Sequence, residues 1–293
     1  MSAIRCITKF CRALLLAAAL VSFLAHDSAL AWSPYTLTNG NSRVTVNPDS
    51  PSGMSDWTVD GQTQLYNQSF WYRKGSTGGE KYLGQSATLA TATQVNPSVL
   101  NLLYNNGTFT IETTYSLLGG VSGSGSAAIG EQISINNLTA AAMSFHFFQY
   151  VDFDLGGTDA NDTITLERNF LGKFVGATQR KGNAYFADEI ISPSADRGEV
   201  STIHNGSQAI LNKLLDGSPT TLNNTTGPIT GDASWAFQWD INIPANSSYS
   251  IDLTKSVYVL QPIPEPSLMA IVVAGASVAS MFRRRRAFVK NHH

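Results

Sequence analysis

The chain has 293 residues, 19 lysines and arginines against 21 aspartates and glutamates, a formal net charge of −2 and two cysteines. Its basic residues concentrate at the two ends, so the body is acidic and low in charge and offers no cationic face for nucleic acid. Cys6 and Cys11 both lie near the N-terminus, which leaves the body without a disulfide, a thiolate nucleophile or a Cys-ligated zinc.

The leading segment reads as a secretory signal peptide over residues 1–31. Arg5, Lys9 and Arg12 form a basic region, Ala13 to Ala25 an apolar one, and Ala29-Leu30-Ala31 a small-x-small site for signal peptidase. Cleavage there starts the mature chain at Trp32; the alternative is an uncleaved anchor helix. Thr8-Lys9-Phe10 ahead of Cys11 does not fit a lipoprotein signal.

Residues 32–260, roughly 230 of them, suffice for one large domain. Thr, Ser, Asn and Gly dominate it, with aromatic and β-branched residues between. Polar and apolar residues alternate from Thr108 through Ile111, over Gln132–Asn136, over Ser234–Ile243 and over Ser248–Leu253, which predicts half-buried strands. Turn pairs punctuate them: Asn39-Gly40, Asp60-Gly61, Asn106-Gly107, Asn205-Gly206 and Asp216-Gly217. Asn105-Asn106-Gly107 between Val99–Tyr104 and Thr108–Tyr115 predicts a hairpin. Gly119–Gly130 and Asn223–Gly231 read as loops, the first flexible. One helix is expected over Gln208–Leu215, with Ser207 as cap and Gly217 as stop. The fold expected is all-β: a single antiparallel β-sandwich with one short helix.

Three candidate sites stand out. Trp57, Trp71, Tyr72, Trp235 and Trp239 lie among Asn, Gln, Asp and Arg, a texture suited to carbohydrate, whose C–H faces pack on rings while its hydroxyls take planar polar partners. The alternative is that these rings fill the core, as expected for Phe147, Phe153 and Phe237. Asp152, Asp154, Asp159 and Asp162 surround a Gly-rich turn and could supply oxygens to Ca2+, although no acidic residue stands at the twelfth position for an EF-hand. The alternative is a solvated turn. Glu112, Glu131, Glu167, Asp188 and Glu189 are possible members of a catalytic carboxylate pair, with nothing to single any out. His146 and His204 show no partner spacing and read as structural. No nucleophile-elbow, zinc-protease or phosphate-loop motif is present, and no cofactor beyond that Ca2+ is expected.

The C-terminus, residues 261–293, carries three parts in order: Pro264-Glu265-Pro266-Ser267, an uncharged apolar stretch from Leu268 to Phe282, and Arg283, Arg284, Arg285 and Arg286. The apolar stretch of about 15 residues would rise only about 22 Å as a helix, short of the ~20 residues a bilayer prefers. The arginines would stay cytoplasmic and hold the body outside. This arrangement resembles the PEP-CTERM sorting signal of bacterial exported proteins; the alternative is an ordinary C-terminal anchor. The resemblance implies recognition by exosortase, cleavage near Glu265, transient residence in the inner membrane and delivery to the cell surface or an exopolysaccharide matrix. Ser55–Gln62 with Phe70–Arg73, Phe145–Leu155 and Trp235–Asp240 also resemble segments of such proteins that carry no assigned activity.

Together these features lead to a non-catalytic surface or matrix protein, structural or associated with extracellular polysaccharide. The competing reading is a glycan-active enzyme, which predicts a cleft with two carboxylates and at least one raised pKa. For the sorting signal, Glu265→Ala or removal of Arg283 to Arg286 should trap the protein in the membrane. Mass spectrometry of the mature C-terminus checks this, and a surface protein still ending at His293 would contradict it.

Overall fold

Alternation along the chain produces strands whose pairing builds two antiparallel sheets packed face to face. The computed structural model describes residues 32–259. The expected signal peptide with Ala29 and Ala31, and the expected sorting segment with Pro264, Glu265, Pro266 and Arg283 to Arg286, lie outside the described residues. Among the described residues no helix is long and apolar enough to cross a membrane.

Sheet A runs in the order β1 (Tyr35–Asn39), β2 (Ser42–Val46), β3 (Met54–Val59), β4 (Gln62–Lys74), β10 (Met143–Phe153), β16 (Ala233–Ile243) and β14 (Arg197–Thr202), with β5 (Lys81–Tyr82) beside the end of β4. Sheet B runs β15 (Ile229–Gly231), β11 (Asp162–Arg168), β12 (Phe174–Lys181), β13 (Tyr185–Ala195), β17 (Ser248–Val259), β9 (Ser126–Asn137), β8 (Phe109–Gly119), β7 (Val99–Asn105) and β6 (Thr88–Asn96). The expected all-β sandwich with one short helix is the architecture observed.

The expected hairpin at Asn105-Asn106-Gly107 joins β7 to β8, with Asn106 Oδ1 accepting from the N–H of Thr108 and Phe109 at 3.0 and 3.1 Å. Asp60-Gly61 joins β3 to β4 with φ of 51° and 78°, both in the left-handed region that suits the twist of a tight hairpin. Residues 119–130 are not the flexible loop expected. β8 continues to Gly119 and β9 begins at Ser126, and the turn between them is tethered by the Asp60 carboxylate, which accepts from the N–H of Gly123 at 2.6 Å and of Gly125 at 2.8 Å. The helix α1 is shorter than expected, Ile210–Leu215, and Ala209 rather than Ser207 stands at its N-cap, because a 3-10 turn at Gly206–Gln208 takes up the preceding residues. The expected loop 223–231 ends in β15.

Aromatic rings pair along the inner face of sheet A, and Phe109 of sheet B meets Tyr72 and Phe145 edge-on at 5.3 and 5.0 Å. Phe153 stacks on Trp235 at 5.6 Å, Phe70 on Phe147 at 5.5 Å and Tyr72 on Phe145 at 5.6 Å. Each buried indole N–H finds an acceptor, as a ring sealed from water requires. Trp57 donates to Ser42 Oγ, Trp71 to Ser69 Oγ, Trp235 to Glu189 Oε2 and Trp239 to the Pro193 carbonyl, all at 2.8–3.0 Å.

At the centre of this apolar layer sits an ionic network. Lys255 on β17 is fully buried and donates to Glu131 Oε2 on β9 at 2.7 Å and to Glu189 Oε1 on β13 at 2.9 Å. Sheet A completes it: Gln68 on β4 donates to Glu131 Oε1 at 2.8 Å, Gln149 on β10 to Glu189 Oε1 at 2.7 Å, and Trp235 on β16 to Glu189 Oε2. Burial pushes the Glu131 carboxyl above its ordinary range, an effect Lys255 partly offsets. Removing one member of a buried ion network strands the others, at a typical loss of about 3–5 kcal/mol. Lys255→Met should lower the unfolding free energy by about that amount in urea titrations. Lys255→Met with Glu131→Gln and Glu189→Gln should recover part of it, because no unpaired charge then remains inside.

Candidate functional site

Side chains alternate across β10, so Phe145, Phe147 and Gln149 enter the sandwich while His146, Phe148, Tyr150 and Asp152 face outward. The outer group would be wet on a bare sheet. Here residues 203–228, including α1, fold over it. Ile210, Leu214 and Leu222 pack on Trp71, Phe148, Tyr150 and Ala236 as a second apolar cluster. Polar ties fasten this cap. Arg73 pairs with Glu80 at 2.9 Å, Glu80 accepts from the Thr220 N–H at 2.9 Å, Gln238 Oε1 accepts from the Leu222 N–H at 2.9 Å, and Lys213 pairs with Glu199.

At the edge of the cap the outer face turns acidic. Asp152, Asp154 and Asp232 present carboxylate oxygens that all lie within 4.8 Å of one another. β10 supplies Asp152 and leads into Asp154 and a 3-10 turn, Leu155–Gly157; the β15–β16 turn supplies Asp232. Asp152 is 5% exposed, whereas Asp154 and Asp232 are half-buried at the mouth. The Tyr150 hydroxyl donates to Asp152 Oδ2 at 3.3 Å, and His204 Nε2 lies 3.1 Å from Asp232 Oδ2. Asp152 Oδ1 takes no hydrogen bond, nor does Asn67 Oδ1 on the residue opposite it in β4.

Three carboxylates this close cannot all stay ionised without a compensating proton or cation. Burial, reinforced by the charges of Asp154 and Asp232, pushes Asp152 up to about 8. Asp154 is raised by burial first and then by Asp232 and Asp159, with Lys181 opposing; Asp232 is raised by burial first, with His204 opposing and Asp159 adding to the rise. The group therefore holds a proton near neutral pH as a coupled unit.

The sequence-predicted sites fare differently. Trp57, Trp71, Tyr72, Trp235 and Trp239 are each 4% exposed or less, so none presents a face to a glycan: four line the sandwich core and Trp71 lies beneath the cap. Of the four aspartates expected around a cation, Asp152 and Asp154 come together, but Asp159 and Asp162 are not in the trio. Asp162 instead pins the local turn, accepting from Gln179 at 2.6 Å and from the Leu155 N–H at 3.3 Å. Asp232 takes the third place. Glu131 and Glu189 are sealed in the core network, and Glu112 and Glu167 stand exposed on sheet B. His146 Nδ1 bonds Asp240 Oδ1 at 2.6 Å; burial would raise Asp240, but hydrogen bonds from His146 and Gln238 hold it below its ordinary range. The sequence offered no sign of Asp232, and His204 reads there as structural, since only strand order brings the two to Asp152.

No protein-family model and no curated protein matches this chain. Solved structures do. A bacterial glucoamylase in complex with acarbose aligns over 84% of this chain and 35% of its own, with a TM-score of 0.55 and 11% identity. A protein described as a putative aldose 1-epimerase from Escherichia coli K12 aligns over 78% of this chain and 99% of its own, with a TM-score of 0.50 and 10% identity. The chain thus spans about a third of the glucoamylase and nearly all of the epimerase. The likeness is one of fold. It overturns the expectation of a non-catalytic structural or matrix module: the sandwich is shared with sugar-acting proteins, and it carries the clustered carboxylates with raised pKa that the enzyme reading required.

The trio makes stability depend on pH. Asp152 ordinarily titrates near 3.8 and near 8 in the fold, so folding takes up a proton between those values, and its contribution is lost as pH rises from about 4 to about 8. Asp152→Asn carries no charge to repel. It should leave stability at pH 4 nearly unchanged and raise the melting temperature at pH 8–9, by the equivalent of a few kcal/mol; scanning calorimetry at both pH values checks the sign.

Proposed function

We propose that this protein is a carbohydrate-active enzyme whose reaction centre is the trio of Asp152, Asp154 and Asp232. The observation that carries the reading is the trio's geometry: a buried carboxyl group, Asp152, with oxygens of two half-buried carboxyl groups within 4.8 Å at the mouth. Such a group can protonate a glycosidic or ring oxygen through one carboxyl, while an ionised neighbour faces the positive charge developing at the anomeric carbon. Paired carboxyl groups in retaining glycosidases stand about 5–5.5 Å apart, and oxygens within 4.8 Å suit that spacing. Asp154 and Asp232 reach substrate; Asp152, with the Tyr150 hydroxyl on it, holds the proton they draw on. His204 steadies Asp232. The two structural neighbours named as a glucoamylase and an aldose 1-epimerase support a sugar as substrate. The N- and C-terminal segments described above support export, with the body beyond the inner membrane and glycan as the material at hand.

A second reading is favoured by the unpartnered Asp152 Oδ1 and Asn67 Oδ1. Hard oxygens at this density also suit Ca2+, held by Asp152, Asp154 and Asp232 in place of the shared proton. One assay separates the two. The full chain, treated with EDTA and then supplied or not with Ca2+, is incubated with a panel of glycans while reducing ends and optical rotation are followed. Turnover in EDTA that falls away above about pH 8 is expected of the proton-sharing centre. Turnover only with Ca2+ would favour the cation. Asp154→Asn or Asp232→Asn should lower kcat/KM by roughly 10²–10⁴; unaltered rates in both variants, or no turnover of any glycan, would remove the enzyme reading.

A further inference from the structure

Beside the trio lies a groove that the chemistry described so far does not use. It has a volume of about 310 Å³ and runs between the edge strand β14 and the segment that returns to β15. Ser201, Thr202, Asn205, Gln208, Asn223 and Thr225 line it with hydroxyls and amides. Ile229, half-buried, is its one apolar side chain with exposed surface, because Val200 turns into the core. Its one ionisable lining residue, Glu199, is 1% exposed, and its carboxylate is taken up by Lys213 and by the Asn223 N–H at 3.0 Å.

The lining narrows the choice of ligand. No cation lines the groove, which disfavours phosphates and other anions. One apolar side chain is too little for a lipid. Amides and hydroxyls both donate and accept, and so match a ligand that does the same along its length, while Ile229 suits its C–H surfaces. Among the described residues no protein group bonds the Gln208 side-chain amide, while its backbone N–H donates to the Asn205 carbonyl at 3.1 Å. Asn205 gives Ser201 Oγ one hydrogen bond at 3.3 Å, and as an exposed side chain it is free to turn to another partner. The volume is at the lower end of small-molecule sites, about 300–1,000 Å³, enough for a short piece of a chain.

The groove also adjoins the centre. Thr202 and Asn205 bracket Ile203 and His204; the Ile203 N–H donates to the Asp232 carbonyl at 3.0 Å, and His204 lies against the Asp232 carboxylate. One stretch, residues 201–205, thus forms a wall of the groove and touches the trio. Across the sheet Ser201 pairs with Ser234, and Asn67 with Asp152, so a polar row crosses the outer face between the two places.

We infer that this groove binds a neutral oligosaccharide chain, extending the reaction centre into a site for a glycan of several units. The inference rests on the carbohydrate reading of the trio, but it is read through binding rather than turnover. The full chain in detergent is titrated calorimetrically with neutral α-glucan, β-glucan and galactan oligosaccharides, from monosaccharide to octasaccharide. Affinity for at least one family should rise with chain length by about tenfold or more, and Asn205→Ala with Gln208→Ala should abolish that gain. Asp154→Asn should keep it. Binding that does not depend on length, a double variant that binds as well as the parent, or no binding by any family would overturn the inference. A gain in affinity without turnover in the parent would instead leave the groove standing and remove the enzyme reading of the trio.

Discussion

Lys255 sits inside the sandwich, sealed from solvent, and the positions of both sheets follow from how its charge is met. Glu189 lies directly across from it on β13 and Glu131 diagonally on β9, so three neighbouring strands of sheet B are locked in register by one ammonium group. The remaining carboxylate oxygens are met from the opposite sheet by Gln68 and Trp235, and Gln149 adds a second donor to the Glu189 oxygen that Lys255 holds. A shift of one residue in β4, β10 or β16 would turn those donors outward and leave buried charge without partners. The network therefore acts on specificity more than on total stability, since an apolar core of the same volume could be as stable.

That constraint reaches the outer face. Asn67 adjoins Gln68, Asp152 follows Gln149 by three residues, and Ser234 precedes Trp235. With Gln68, Gln149 and Trp235 fixed inward, the pleat fixes Asn67, Asp152 and Ser234 outward on adjoining strands. Asp232 arrives just before β16 for the same reason. Mutual repulsion among three carboxylates is unfavourable and would move a loosely held site apart. Here the strands that carry it are set from behind, and the cap over Phe148 and Tyr150 excludes water from one side. A raised pKa needs both features: an imposed geometry and partial desolvation.

Much of this was legible in the sequence, and what was not has a physical cause. Period-two alternation and the Asn-Gly and Asp-Gly turns specify strands and hairpins locally, so the sandwich, the β7–β8 hairpin and the neighbourhood of α1 could be read directly. The core network also left a trace: Ile251, Leu253, Lys255 and Val257 alternate inward, as do Ile129, Glu131, Ile133 and Ile135, with a charge in an apolar slot each time. Composition misled where burial depends on partners. Trp57, Trp71, Trp235 and Trp239 look the same in sequence whether they face a sugar or a sheet, and only the pairing of β3, β4 and β16 settles which. Asp159 and Asp162 are near Asp152 in sequence, yet Asp232 is the one near it in space, because β15 and β16 return from far along the chain. Local readings do not see such long-range neighbours.

The proposed reaction centre rests on a proton shared among Asp152, Asp154 and Asp232. Carbon-detected NMR of aspartate carboxyl groups, followed from pH 3 to pH 10 on metal-free protein, tests it most directly. One carboxyl resonance of the trio should titrate near pH 8, coupled to shifts of the other two, and should move when a bound sugar enters the mouth. If all three titrate near pH 4 like exposed aspartates, the trio holds no proton for chemistry, and the proposed centre is contradicted.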